Sequence, residues 1–167
     1  TQHPLRRRLG LVRLWGIRAD VVPVASPDEA EPSPERMLCI ACGPEEAVEV
    51  APGSVDARAG QAAYEAVVTA ARLALAGRVD CITTAPLHKE ALHRAGHHYP
   101  GHTELLAELC GVREFAMMLY LGPGEPLRSP AGLAVVHVTL HTALSRVFGE
   151  LTEEAVLVKA RLADRFM

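Results

Sequence analysis

The sequence predicts an α/β protein: a layered, mostly parallel sheet with helices between its strands. Three observations carry that prediction. Short β-branched or apolar runs alternate along the chain with longer segments whose apolar residues recur every 3.6 positions. Gly- and Pro-containing turns separate these runs. The 167 residues are 49% hydrophobic and 22% charged, the balance of a globular chain of one domain or part of a larger one.

Leu5 to Trp15 has a helical pattern, and Ala19 to Val24 is a short β-branched run. Ser26 to Glu35, with three prolines and four acidic residues, is a surface connection. Met37 to Cys42 is apolar and bounded by Gly43-Pro44, as a buried strand would be. Ala51 to Ser54 is a turn, after which Ser54 or Asp56 can cap a helix. In that helix, Ala57 to Ala76, the apolar positions Ala62/Ala63, Ala66/Val67, Ala70 and Leu73/Ala74 predict packing on a sheet, and Gly77 closes it. Val79 to Thr83 predicts a strand, Leu87 to Ala95 a helix, and Thr103 to Cys110 another, stopped by Gly111. Phe115 to Leu121 and Leu133 to Thr139 predict strands around the loop Gly122 to Pro126. Thr152 caps a last helix whose first turn holds Glu153 and Glu154, where the helix dipole favours them.

Charge and composition exclude several function classes. Seventeen basic and twenty acidic residues leave a net charge of −3. The one basic run, Arg6-Arg7-Arg8, fits a solvated helix face, so no nucleic-acid footprint is expected. No apolar run reaches the ~18 residues of a membrane helix, and no secretory signal opens the chain. The expectation is a cytoplasmic protein with no membrane partner. Cys39 and Cys42 have half-site spacing, but no second pair completes it, so they read as a buried pair of small hydrophobes. The chain opens on Thr1 in one helix-like segment and closes on Met167 in another, the pattern of a piece of a longer polypeptide.

Five of the eight histidines lie between His88 and His102. His88 and His93 are five apart, about 140° around a helix, and cannot easily share a metal. His97 and His98 follow the helix-ending Gly96 and read as structural. His102-Thr103 stands after the Pro100-Gly101 turn at a helix start. Free N–H groups and the positive dipole end there suit a phosphate or carboxylate, and imidazole and hydroxyl add adjustable partners. Capping alone is an equally good account. Thr83-Thr84-Ala85-Pro86 leaves the carboxyl end of a predicted strand, where open α/β sheets bind ligands, and leads to Lys89, an anion contact or a solvated lysine. His141 follows another strand and could bind a metal, although one histidine is not a site. His137, within that strand, reads as a hydrogen-bonded core histidine.

Taken together, Thr83-Thr-Ala-Pro-Leu-His-Lys-Glu-Ala-Leu92, Tyr99-Pro-Gly-His-Thr-Glu-Leu-Leu-Ala-Glu-Leu109, Phe115-Ala-Met-Met-Leu119 and Val138-Thr-Leu-His-Thr-Ala-Leu144 resemble the 4-hydroxythreonine-4-phosphate dehydrogenase family in order and spacing. The resemblance runs from near Ala19 to the end of the chain. It implies an isocitrate/isopropylmalate dehydrogenase-like α-β-α architecture, of which residues 1–167 are a partial subunit, paired as a homodimer around a cleft. It also implies NAD-dependent oxidation, with decarboxylation, of 4-phosphooxy-threonine in pyridoxal phosphate biosynthesis. His102 and Thr103 match the family's substrate-binding pair. His141 matches the first of three histidines holding a divalent metal, zinc with magnesium or cobalt as substitutes. Lys89 is a candidate catalytic anion contact, and no residue is matched to NAD.

The family's opening Met-Gly-Asp-Pro-Ala-Gly segment has no counterpart before Leu5. Its Pro-His-Ala-Gly-Glu and His-Asp-Gln-Gly stretches, which carry the other metal histidines, have none in these residues. The expectation is that this stretch is not competent alone. Two alternatives stand beside the main reading. One is a related dehydrogenase of phosphorylated four-carbon hydroxy acids such as phosphothreonate. The other is an inactive remnant that only binds ligand or partner. A phosphohydrolase would need clustered acidic ligands that the sequence does not offer. Both main readings require His102 and His141 to serve one bound molecule.

Overall fold

The computed structural model describes residues 20–29, 31, 33 and 36–167. The predicted helix Leu5 to Trp15 and the Arg6-Arg7-Arg8 run lie outside the described residues. The chain divides into two compact units, residues 1–111 and 112–167.

In the first unit, β1 (Asp20–Val24) pairs in parallel with β2 (Arg36–Ile40), Val22 opposite Leu38. Their connection carries a 3-10 turn, Pro27–Glu29. Arg78 ties that turn to the far end of the next helix through Asp28 and Ser26. Cys39 and Cys42 are half-buried rather than buried; Cys39 lies on β2, which has a single neighbouring strand among the described residues. Helix α1 (Ala57–Leu75) starts where the Asp56 carboxylate accepts the Arg58 N–H at 2.8 Å. It ends in a Schellman motif: Gly77, at φ 67°, donates to the Ala74 carbonyl and Arg78 to that of Leu73.

Val79 to Thr83 forms no strand. An extended run becomes a strand only by pairing its N–H and C=O groups with a neighbour, and this one forms no ladder with the described residues. Helix α2 (Lys89–Arg94) is shorter than predicted because His88 caps it, Nδ1 accepting from the Ala91 N–H at 3.4 Å. Helix α3 (His102–Leu109) follows after seven residues and ends at Cys110-Gly111. The sequence predicted α1 against a sheet, but its packing partners among the described elements are α2, α3 and the 3-10 turn Glu45–Glu49. Val68, Ala71, Ala91, Leu92, Leu105 and Ala107 are buried between these helices, Leu92 and Leu105 completely. Gly60 permits that approach, since a Cβ there would overlap the Ala91 carbonyl.

In the second unit, β3 (Met118–Leu121) and β4 (Leu133–Val136) pair antiparallel, Leu119 opposite Val135. This differs from the mostly parallel sheet expected, and both strands are shorter than predicted. The ladder ends at Val136; the His137 N–H still donates to the Met117 carbonyl at 3.1 Å, and the backbone bends at Val138 and Thr139. Helix α4 (Leu144–Glu150), which the sequence reading missed, precedes α5 (Glu153–Phe166). The Thr152 hydroxyl caps α5, accepting the Ala155 N–H at 3.1 Å as predicted. Lys159 of α5 donates to the Phe115 carbonyl at 2.7 Å.

Candidate active site

The first unit brings part of the predicted site together. A cleft of about 290 Å³ lies between the α1 face bearing Ala63, Val67 and Ala70, the segment Ile82 to Leu87, and His102. Thr83-Thr84-Ala85-Pro86 and His102 therefore share one cavity. The volume lies just below the ~300–1,000 Å³ of small-molecule sites. His102 is half-buried as the first residue of α3, behind Gly101 as N-cap. Gly101 offers no side-chain cap, so the first N–H groups of α3 receive no capping bond. Thr103 is half-buried beside it but does not line the cleft. Lys89 is exposed at the first position of α2, also outside the cleft lining. Its placement favours neither an anion contact nor a solvated lysine.

The histidines separate by what their rings do. His88 caps α2. His93 Nε2 lies 3.2 Å from the Tyr99 carbonyl oxygen, and the His98 ring faces His93 with centroids 5.4 Å apart. His97 stacks on Tyr64 at 3.5 Å, with its Nε2 2.8 Å from Gln61 Oε1. His97 and His98 thus face different groups and serve structure. His137 Nδ1 lies 3.3 Å from the Met117 carbonyl oxygen, but the residue is half-buried rather than core. His102 and His141 are the exceptions: among the described residues neither ring makes a hydrogen bond, ion pair or ring contact.

His141, in the second unit, is exposed on the segment between β4 and α4. Its φ of 51° makes it the one described non-glycine residue in the left-handed region. Such a backbone is uncommon for a side chain larger than glycine, and histidine is among the types that tolerate it. Nothing in sequence pattern signals this conformation. The described residues contain no group of three His, Cys, Asp or Glu side chains placed to hold a metal. His141 is thus a donor without a complete donor set. A larger groove of about 670 Å³ in the second unit is lined by apolar side chains and Tyr120, and holds none of the predicted site residues.

Two charge effects shape the surroundings of the first unit. The Arg58 guanidinium and N–H, both bonded to Asp56, hold that carboxyl down at about 2. The Glu108 carboxylate, accepting from the Tyr99 hydroxyl at 2.9 Å, pushes that phenol above its usual range.

The family model described as pyridoxal phosphate biosynthetic protein PdxA matches residues 4–167. The chain belongs to the PdxA family. This PdxA-family chain is 47% identical over 116 residues to the D-threonate 4-phosphate dehydrogenase of Pectobacterium atrosepticum, covering 70% of the chain and 33% of that protein. It is 41% identical over 144 residues to the 4-hydroxythreonine-4-phosphate dehydrogenase of Trichlorobacter lovleyi, covering 86% and 40%. The crystal structure of 4-hydroxythreonine-4-phosphate dehydrogenase from Klebsiella pneumoniae superposes with a TM-score of 0.76 at 39% identity, over 89% of this chain and 42% of that one. The mixed α/β fold is therefore that of PdxA structures. The chain spans about a third to two-fifths of the length of these relatives.

Proposed function

We propose that this PdxA-family polypeptide is a partial subunit of a dehydrogenase that uses NAD and a divalent metal to oxidise 4-phosphooxy-threonine, with decarboxylation, in pyridoxal phosphate biosynthesis. One observation carries the reading. Of the described histidines, the two that the family motif marks are the two whose rings make no hydrogen bond, ion pair or ring contact among the described residues. A histidine kept for structure has its ring nitrogens satisfied by its neighbours, as His93, His97 and His137 do. A histidine kept for a ligand leaves them open.

In this reading His102 offers a ring nitrogen, and Thr103 its hydroxyl, to the phosphorylated substrate at the uncapped start of α3. The positive end of the helix favours the anion there. The apolar wall formed by Ala63, Val67 and Ala70 excludes water from one side of the same cleft and narrows the orientations open to a small ligand. Lys89 is an additional anion contact, reached from outside the cleft lining. His141 is one metal ligand. The described residues do not complete its coordination, so no step is derived through the metal. NAD, when bound, supplies the hydride acceptor.

The same reading takes the subunit to have an isocitrate/isopropylmalate dehydrogenase-like layered architecture and to pair as a homodimer in the cytoplasm. Residues 1–167 are then part of one α/β subunit. A second substrate, D-threonate 4-phosphate, is favoured by the name of the Pectobacterium relative. It shares the four-carbon backbone and phosphate that His102 and Thr103 would meet.

The test is NADH formation by the purified polypeptide with NAD, zinc and a panel of four-carbon phosphates, alongside calorimetric binding of each. Turnover with a phosphorylated hydroxy acid, and none with its dephosphorylated form, supports the dehydrogenase. Binding without turnover is the outcome expected of an inactive remnant. Absence of both removes the proposal.

A further inference from the structure

The connection from α2 to α3 is six residues of loop followed by Gly101, yet it is held at many points. The Schellman motif ending α2 anchors its start: Gly96, at φ 89°, donates to the His93 carbonyl and His97 to that of the fully buried Leu92. The His97 ring then lies flat on Tyr64, with centroids 3.5 Å apart and planes 8° from parallel. Gln61 Nε2 donates to Glu65 at 2.7 Å, which leaves Gln61 Oε1 to accept from His97 Nε2 at 2.8 Å. Two residues on, the Tyr99 carbonyl accepts from His93 and its hydroxyl donates to Glu108 of α3. Tyr64 and Tyr99 stand 6.5 Å apart, 17° from parallel. Only Pro100 and Gly101 separate this brace from His102.

We propose that His97 is a positioning residue: its ring, clamped on Tyr64 and Gln61 of α1, sets where α3 begins and so where His102 and Thr103 meet the substrate. The inference rests on the substrate role proposed for His102. The physical argument is one of tolerance. An aromatic stack pinned also by a hydrogen bond has little freedom to slide, and misplacement of a binding group by about 1 Å costs up to about a hundredfold. His97 itself is outside the cleft lining and acts through His102.

The experiment uses the whole polypeptide and D-threonate 4-phosphate as probe. Its affinity is measured by calorimetry, and the His102 ring signals are followed by NMR on histidine-labelled protein. His97→Ala is expected to shift the His102 ring signals without any ligand and to weaken binding about tenfold. His97→Phe, which keeps a ring over Tyr64, recovers most of that loss. The double variant His97→Ala/His102→Ala loses clearly less than the product of the two single losses, because part of the His97 effect runs through His102. Unmoved His102 signals, wild-type affinity in His97→Ala, no recovery in His97→Phe, or fully multiplicative losses would each overturn the proposal. Should His97→Ala fail to fold, Gln61→Ala keeps the ring stack while removing the hydrogen bond to His97, together with that to Glu65, and is expected to move the same signals and weaken binding about threefold. Unmoved signals and unchanged binding in Gln61→Ala would then overturn it. Unchanged binding in His102→Ala, with its signals still displaced by His97→Ala, would sink the substrate reading and leave the structural coupling standing.

Discussion

Replacing the His102 ring removes a half-buried hydrogen-bonding group from the cleft wall but no hydrogen bond, ion pair or ring contact with the described residues. His102→Ala should therefore leave the fold intact and weaken the phosphorylated substrate at least tenfold more than NAD; equal losses for both would make His102 structural. His141→Ala should likewise leave the circular dichroism spectrum unchanged. In the catalytically complete enzyme it should abolish NADH formation at limiting metal, and wild-type turnover under those conditions would exclude a ligand role. Asp56 gives a third residue-scale expectation. Its carboxyl, held at about 2 against an ordinary 3.8, favours the folded state above the ordinary value, and that contribution fades as pH falls towards 2. The group is exposed, so solvent and salt screen the effect. Urea midpoints of Asp56→Asn should lie below wild type at pH 5 and converge with it near pH 2; a constant gap across that range would separate the effect from the Asp56 charge.

Among the helices, the tightest constraint is the crossing of α1 and α2. Gly60 is buried where the Ala91 carbonyl comes closest. Exchanging glycine for alanine in an open helix would add stability through propensity. Here the added methyl must displace α2, so Gly60→Ala should destabilise by about 1–3 kcal/mol. Moving α2 also moves the loop that ends at His102, so the same variant should weaken substrate binding. A rise in melting temperature would show that the helices can part without cost. Element boundaries were well marked in the sequence wherever a local device makes them. Asp56, Gly77, Gly96, Gly111 and Thr152 act on backbone groups within a few residues, and the helices begin or end beside them. Strands were marked less well. Val79 to Thr83 has the composition of a strand, but composition cannot supply the neighbour that a ladder needs. Leu144 to Glu150 went unrecognised because Gly149 and the absence of a side-chain cap at Ala143 hide its start and end.

Across the described residues, burial is uneven. Every buried apolar side chain named above belongs to α1, α2 or α3, whereas Leu119, Leu121, Leu133 and Val135 on the β3–β4 pair are exposed. Amides that open only with the core exchange slowly, and those on exposed two-stranded ladders open locally. Hydrogen exchange should therefore be slowest around Leu92 and Leu105, and faster by at least an order of magnitude in residues 118–121 and 133–136. Equal protection in both regions would mean that those strands are covered in solution.

Family membership, the limits of α1, α3 and α5, and the identity of His102, Thr103 and His141 as candidates were readable in the linear sequence, because motif spacing and capping chemistry are local properties. Three things were not. The cleft joining Thr83-Thr84 to His102 depends on α1 crossing behind both, a contact between residues up to about forty positions apart. The brace of His97 on Tyr64 and Gln61 is equally distant in sequence. The left-handed backbone of His141 is set by the chain's path out of β4. Such features arise from packing between remote segments, and whether a histidine's ring is satisfied or left open to a ligand is decided only when those segments meet.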